Sequence, residues 1–239
     1  WTASWDLNCM SDDPRRIPEL AGLIRLGSGT LERVAHSGID ARFCNVNGIQ
    51  VMLAGRLRFR NDAMTELATR SGSEHAIAQS WRQNAQGVLE SVAGEFVLGL
   101  WDSHTRRGLL AVDRFSSFPL FWGERDGRLA FGSTPVAVAN RLEISSEVEP
   151  RAVHAYLYFH MIPAPLSILR GVQRLEGGQA ILIERGRTRI LEHWTPQFVE
   201  GPAFDFADAR QEFRAALRYG VDECIAGVPR ERLGCFLSG

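Results

Sequence analysis

The sequence predicts an α+β fold: a body of antiparallel β-sheet carrying helices on its faces, followed by the opening of an α/β unit. Three observations carry this. Short apolar runs recur from residue 49 to residue 194, joined by tight polar turns, which is the pattern of antiparallel hairpins. Between two of these runs lie helical stretches with an apolar face at 3.6-residue spacing. After residue 205 comes a long amphipathic stretch, a break at Pro229, a short apolar run and Ser238-Gly239.

Taken in order, residues 49–55 form an apolar run ending at Gly55, which suits a buried strand. Helices are expected over 62–71 and 73–84, with Ala76, Ile77, Ser80 and Trp81 on one face of the second. Residues 94–102 and 108–113 read as a hairpin, as do 119–122 and 128–132 around Glu124-Arg125-Asp126-Gly127. The first of these strands is apolar on both faces, so Trp101 is expected in the interior. Phe96, Phe115 and Phe121 are expected in the core with it. Pro150 opens a helix through 159, and Pro163 and Pro165 then force extended chain. Residues 177–186 and 188–194 form a last hairpin, and 195–202 reads as a linker. Asp205 can cap a helix to 225 with Phe206, Ala209, Phe213, Leu217 and Val221 on one stripe. A short strand is expected over 233–237. The domain reading is 1–200 for the β-rich body and 201–239 for the start of a second domain.

Composition excludes several classes of function. The 239 residues are 45% hydrophobic and 23% charged, with 27 basic against 28 acidic residues, a net charge of −1. Bulk charge therefore makes no case for nucleic acid or a membrane surface, and no apolar run approaches the roughly 20 residues of a membrane helix. Every basic residue is arginine, so no lysine nucleophile or phosphate-gripping lysine exists in this chain. Cys9, Cys44, Cys224 and Cys235 lack paired spacing, which points to reduced thiols and a cytoplasmic location. Cys44 and Cys224 read as small buried apolar residues. The six histidines are scattered, so no metal site is expected.

Five segments, in order, resemble the asparagine synthetase family. Val92-Ala93-Gly94-Glu95-Phe96 through Asp102 is similar to that family's Gly-x-Phe-Ala-Phe-Ala-Leu-Trp-Asp strand. Asp113-Arg114-Phe115 through Pro119-Leu120-Phe121 is similar to its Asp-Arg-Phe-Gly-x-x-Pro-Leu-Tyr turn, and Gly127 through Ser133 to Gly-x-Leu-x-Phe-Ala-Ser. Ile162-Pro163-Ala164-Pro165, with Gly171-Val172 and Leu175, resembles the segment closing the domain. Gly234 through Gly239 resembles the start of the pyrophosphate loop, Gly-x-x-Leu-Ser-Gly-Gly-x-Asp-Ser. The resemblance implies a class II glutamine amidotransferase-like domain of the Ntn-hydrolase type, a four-layer αββα sandwich. It also implies the first helix and strand of an ATP-pyrophosphatase domain lying largely beyond residue 239. Leu237, Ser238 and Gly239 would then begin the ATP site, with Mg2+ held elsewhere.

Glutamine hydrolysis in that fold requires an N-terminal cysteine acting through its own α-amine and donors for the oxyanion. It also requires an arginine and an aspartate to clamp the substrate. Here Trp1 stands first and Cys9 is internal. The family's Asn-Gly-Glu aligns with Ala54-Gly55-Arg56, and its Ser-Asp-Thr-Glu with Ser71-Gly72-Ser73-Glu74. Its His-Arg-Gly-Pro-Asp appears as His36-Ser37-Gly38-Ile39-Asp40, followed by too short a stretch for the usual arginine segment. His36, Asp40 and Gly55 are expected to hold turns and caps, and Arg114 to form a buried ion pair with Asp113. No catalytic residue is expected within this chain.

What the resemblance implies is a glutaminase-degenerate amide former. A carboxylate is adenylated by Mg-ATP, and an amine already present in the substrate displaces AMP, as in β-lactam synthetases and lasso-peptide cyclases. The expected partners are ATP, a carboxylate and amine substrate such as a precursor peptide, and a leader-processing protease. The alternatives are an asparagine synthase, glutamine-hydrolysing or ammonia-dependent, and a non-enzymatic Ntn-like scaffold.

Overall fold

The computed structural model describes residues 19–28, 30–37, 41–85, 87–198, 201, 205–226 and 228–235, with backbone alone at 19, 30, 32–37 and 232. The chain divides after Thr195 into two compact units.

The first unit runs β1 (Glu19–Arg25), β2 (Thr30–Ser37), β3 (Ala41–Val46), β4 (Ile49–Phe59), α1 (Asp62–Ser71), α2 (Ser73–Gln83), β5 (Val92–Asp102), β6 (Arg107–Val112), β7 (Phe121–Arg125), β8 (Arg128–Gly132), α3 (Pro135–Leu142), α4 (Pro150–Phe159), β9 (Gln173–Arg174), β10 (Gln179–Glu184) and β11 (Arg187–Glu192). The strands make two sheets, β2-β1-β8-β7-β9 and β11-β10-β6-β5-β4-β3, and every pairing is antiparallel.

Alternation of side chains along the strands splits the apolar residues into three layers. Leu20, Ile24, Leu129 and Phe131 of the first sheet meet Met52, Ala54, Val97, Trp101 and Leu110 of the second. On its other face the six-stranded sheet packs Leu53, Phe96, Leu98 and Leu100 under Ile77, Ala78 and Trp81 of α2. The five-stranded sheet packs Leu23 and Ala130 under Val138, Ala139 and Leu142 of α3. The fold is thus α+β with helix, sheet, sheet and helix in succession, the sandwich that the resemblance implied.

Local chemistry explains the elements. Asn61 caps α1, its Oδ1 accepting from Ala63 N at 2.8 Å. Thr134 and Glu149 cap α3 and α4, each followed by proline in the first turn. Three hairpins close on two-residue turns, Asn47-Gly48, Asp126-Gly127 and Arg185-Gly186, with φ positive at both residues. That is the turn whose twist matches paired strands.

Several expectations are corrected. β7 begins at Phe121 and continues to Arg125, so the turn is Asp126-Gly127 alone and Pro119 lies before the strand. Phe115 is not a core residue. It is 78% exposed, because the chain turns at Ser116, where φ is 51°, before β7 begins. Phe121 is half-buried, while Phe96 and Trp101 are buried as expected. Gly55 lies inside β4 rather than in a turn. Cys44 is half-buried and Cys224 exposed.

In the second unit, α5 (Phe206–Ile225) starts at Asp205, whose Oδ1 accepts from Ala207 N at 2.7 Å. Its stripe of Phe206, Phe213, Leu217 and Val221 is exposed throughout. Arg230–Arg232 is a single 3-10 turn, and residues 233–235 are irregular rather than a strand. Leu237, Ser238 and Gly239 lie outside the described residues. Among the described residues no helix is long and apolar enough to cross a membrane.

Candidate functional site

The positions where glutamine chemistry would sit fall where β4 runs past its neighbour β3. The register of that pair ends at Ala41 opposite Ala54, whereas β5 follows β4 to its end, with Val97 opposite Ala54 and Phe96 opposite Gly55. The Ala54 methyl is 2% exposed and packs in the core between the sheets. The position that the resemblance aligns with the family's oxyanion amide is thus a buried methyl.

Gly55 is there for space and for backbone. Its φ is +89°, a conformation open chiefly to glycine. A Cβ built on it would come within 2.3 Å of the Glu95 carbonyl oxygen and 2.7 Å of the Phe118 ring. Arg56, the next residue, is exposed and stands opposite Glu95.

Phe118 is positioned by the turn that follows β6. Buried Asp113 organises that turn by accepting from the backbone N–H groups of Phe96, Phe115 and Ser117 at 3.2, 2.9 and 3.0 Å. The Ser117 hydroxyl donates to it as well, at 3.1 Å. Arg114 is not its ion partner. The guanidinium is exposed and lies 5.5 Å from the centre of the Trp194 ring, against which Phe115 packs edge-on at 5.3 Å. A carboxylate already supplied with four donors has its charge satisfied without a cation.

Gly72, aligned with the missing clamp aspartate, joins α1 to α2 and caps the latter without a side chain. The carboxylate nearest it is Glu74, whose Oε2 lies 3.2 Å from where a Gly72 Cβ would stand. Its other oxygen faces Arg42 Nε of β3 at 3.2 Å. Neither residue was singled out by motif reading for this pairing, since it requires knowing which face of β3 meets α2. Cys44 packs with the helix-side core, so by alternation Arg42 shares that face, opposite to the Ala54 methyl. The sheet thus separates the Ala54 position from the Glu74–Arg42 pair.

Cys44, the described thiol of the first unit, is a poor nucleophile. Burial pushes its pKa up, and the Glu74 charge pushes it further. Cys9, Asp40, Trp1 and the ATP-loop residues lie outside the described residues, and of His36 only the backbone, paired with Leu20, is described. Among the described residues no cluster of three His, Cys, Asp or Glu side chains could hold a metal.

The exit strand adds one titrating group. His193 Nε2 lies 3.0 Å from the Val112 carbonyl oxygen, and burial holds its pKa below the ordinary 6.5 against the opposing pull of that carbonyl and of Asp113. With the folded-state value depressed, the unfolded chain binds more protons as pH falls through 6.5. The contribution of neutral His193 is therefore complete above about pH 6.5 and declines below it. The urea midpoint of the wild type should fall more between pH 7.5 and pH 5.5 than that of His193→Gln, whose amide can still donate to Val112. Equal slopes for the two proteins would contradict this.

The chain was compared with known proteins. The model for the glutamine amidotransferase domain matches residues 50–195. Proteins of Mycobacterium bovis and Mycobacterium tuberculosis named "Putative asparagine synthetase (glutamine-hydrolyzing)" are 29% identical over 176 residues, 70% of this chain and 26% of theirs. The chain thus spans about a quarter of the length of the curated relatives it matches. Among solved structures, an allosteric regulatory enzyme of purine biosynthesis aligns over 75% of this chain and 44% of its own, at 11% identity and a TM-score of 0.43. A glutamine phosphoribosylpyrophosphate amidotransferase from B. subtilis covers the same shares at 12% identity and 0.40. Likenesses this slight carry no argument.

Proposed function

Because the chain belongs to the glutamine amidotransferase domain family, as an asparagine synthetase-like member, we propose that it is the glutaminase-silent part of an ATP-dependent amide-forming enzyme. In this reading the amine comes from the substrate itself, and the product is an intramolecular amide of the macrolactam kind made by lasso-peptide cyclases. The observation that carries it is Ala54, whose buried methyl stands where the resemblance places the oxyanion amide. A domain unable to release ammonia from glutamine suits a partner reaction that needs none.

The remaining chemistry belongs to ATP with Mg2+. The substrate carboxylate attacks the α-phosphate, pyrophosphate leaves, and the amine then expels AMP and loses a proton as the amide forms. Leu237, Ser238 and Gly239 would supply the first backbone donors of the phosphate loop. A precursor peptide and its leader-processing protease are the partners of this reading. A cytoplasmic location belongs to it as well, supported by cysteines whose spacing in the sequence lacks disulfide-type pairing.

The test uses the gene product that carries this chain. Glutamate release from glutamine should be absent, and Ala54→Asn should not restore it, because the amine clamp would still be missing. AMP and pyrophosphate should form with a peptide bearing both a free amine and a carboxylate. The names of the mycobacterial relatives favour a second reading, an asparagine synthase. AMP release with aspartate and ammonium, and none with peptide, would establish that instead. Glutamate release near 1 s⁻¹, about the low end of ordinary enzymes, would overturn the glutaminase-silent assignment. No AMP with any substrate would leave a scaffold.

A further inference from the structure

α4 buries two small side chains, Ala152 and Ala155, and turns its large ones outward. Tyr156, Leu157, Tyr158 and Phe159 are between 55% and 73% exposed, and Val153 and Met161 are exposed on either side of them. Helical spacing sets Val153, Tyr156 and Leu157 at i, i+3 and i+4 on one outward face. Tyr158 and Phe159 meet edge-on at 4.7 Å. Both ends of the helix are tied to the body of the first unit. Glu149 N donates to the Ile168 carbonyl at 2.9 Å, and the Pro165 carbonyl beyond the other end accepts from Arg174 N of β9 at 3.0 Å. The surroundings carry little uncompensated charge. No Asp or Glu occurs between Pro150 and Leu175, and the arginines near the start of α4 are engaged, Arg151 with Glu149 at 3.0 Å and Arg170 with Glu147 at 2.6 Å.

We propose that this face of α4 is the surface through which two copies of the protein associate, about a two-fold axis passing near Leu157. The contact is independent of the reaction proposed above. Area favours it first. The six side chains present roughly 650 Å² to solvent, beyond the ~300–600 Å² of the largest apolar patch on an ordinary monomer and near the ~800 Å² that each partner buries in a stable complex. Composition agrees, because the buried centre of a homodimer interface is rich in aromatic residues and Met and depleted of charge. An isologous contact also sets each patch against its own likeness, which a strongly charged surface would resist by repulsion and this one does not. Helix ridges of Tyr, Leu and Val can interdigitate with the same ridges of the second copy. A nucleic acid or an anionic membrane surface would call for a cluster of unpaired cations, and the arginines beside the patch already hold carboxylates.

The experiment is sedimentation velocity of the gene product that carries this chain, over a range of micromolar concentrations. A monomer–dimer equilibrium is expected. Leu157→Glu should raise the dissociation constant about a hundredfold, because two carboxylates would then meet at the axis, and Leu157→Arg should do the same. A mixture of these two variants should associate about tenfold more tightly than either alone, since opposite charges face each other only where a residue meets its own counterpart. Tyr158→Ser, which adds no charge, should weaken association about tenfold. Ile190→Glu, at an exposed position on β11 of the other sheet, should leave it unchanged. Melting curves accompany every variant, and their midpoints should stay close to wild type because each replaced side chain is exposed. A monomer at every concentration, a dimer indifferent to Leu157, or charge variants that fail to rescue each other would overturn the proposal. So would a monomer that floats with anionic phospholipid vesicles and loses that binding in Leu157→Glu.

Discussion

Trp101→Ala should unfold at a markedly lower denaturant concentration, with a loss of about 3–5 kcal/mol. The indole is 3% exposed and packs between the two sheets. It lies over β6 at Gly108, its partner in the register. A Cβ at Gly108 would come within 2.6 Å of the Trp101 ring, so the strand leaves out a side chain to admit the indole. Truncation would leave a void that this backbone cannot fill. It would also open into a small apolar cavity of about 20 Å³ that Trp101 already lines with Ile24, Met52, Leu110 and Phe131. Poor collapse puts the cost toward the upper end of that range. Trp101→Phe, which keeps a ring in place, should cost less than half as much. Trp194→Ala is the comparison, since Trp194 is only half-buried. Equilibrium denaturation of the three variants checks the order, and an unchanged midpoint for Trp101→Ala would contradict the placement between sheets.

That Trp101 is buried was legible in the sequence because β5 is apolar on both faces, and the same periodicity showed the hairpins and α2. The elements it did not show have physical reasons. β1 and β2 carry Arg25, Glu32, Arg33 and His36 among their apolar residues, so alternation is broken, and the pairing of β1 with β8 is made across more than a hundred residues. β9 is two residues long, held by register with β7 rather than by propensity. α3 is eight residues after a proline and reads locally as a loop. At the candidate site, the family resemblance pointed to Ala54 and Gly72 as replaced positions. It could not show that the Ala54 methyl and the Glu74–Arg42 pair face opposite sides of one sheet, because that depends on the parity of β3 and β4 at their crossing. The exposure of Phe115 was hidden for a related reason. A residue three beyond a strand looks like its continuation until the turn at Ser116 is known.

Asp113→Ala should rival the loss at Trp101, for a polar reason rather than an apolar one. The carboxylate is 2% exposed and receives four hydrogen bonds, three of them from backbone N–H groups on two separate stretches of chain. Its own carbonyl accepts from Gly178 N at 2.9 Å, so the same residue ties β5, the turn after β6 and the approach to β10. Removing the side chain leaves the Phe96 N–H without its buried acceptor, at about 1–3 kcal/mol, and frees the turn that places Phe118 over Gly55. Water can reach the Phe115 and Ser117 groups, which are exposed, and this caps the total at about 3–4 kcal/mol rather than the sum of four bonds. Asp113→Asn separates charge from shape. Its carbonyl oxygen can serve one side of the turn, but its NH2 then faces backbone donors on the other. It should therefore recover less than half of the loss. Hydrogen exchange gives the distinguishing readout: in Asp113→Ala the amides of Phe96, Phe115 and Ser117 should lose protection together, while those of β10 and β11 follow global unfolding. Retained protection at Phe96 would mean that the carboxylate is not what holds this corner of the sandwich closed.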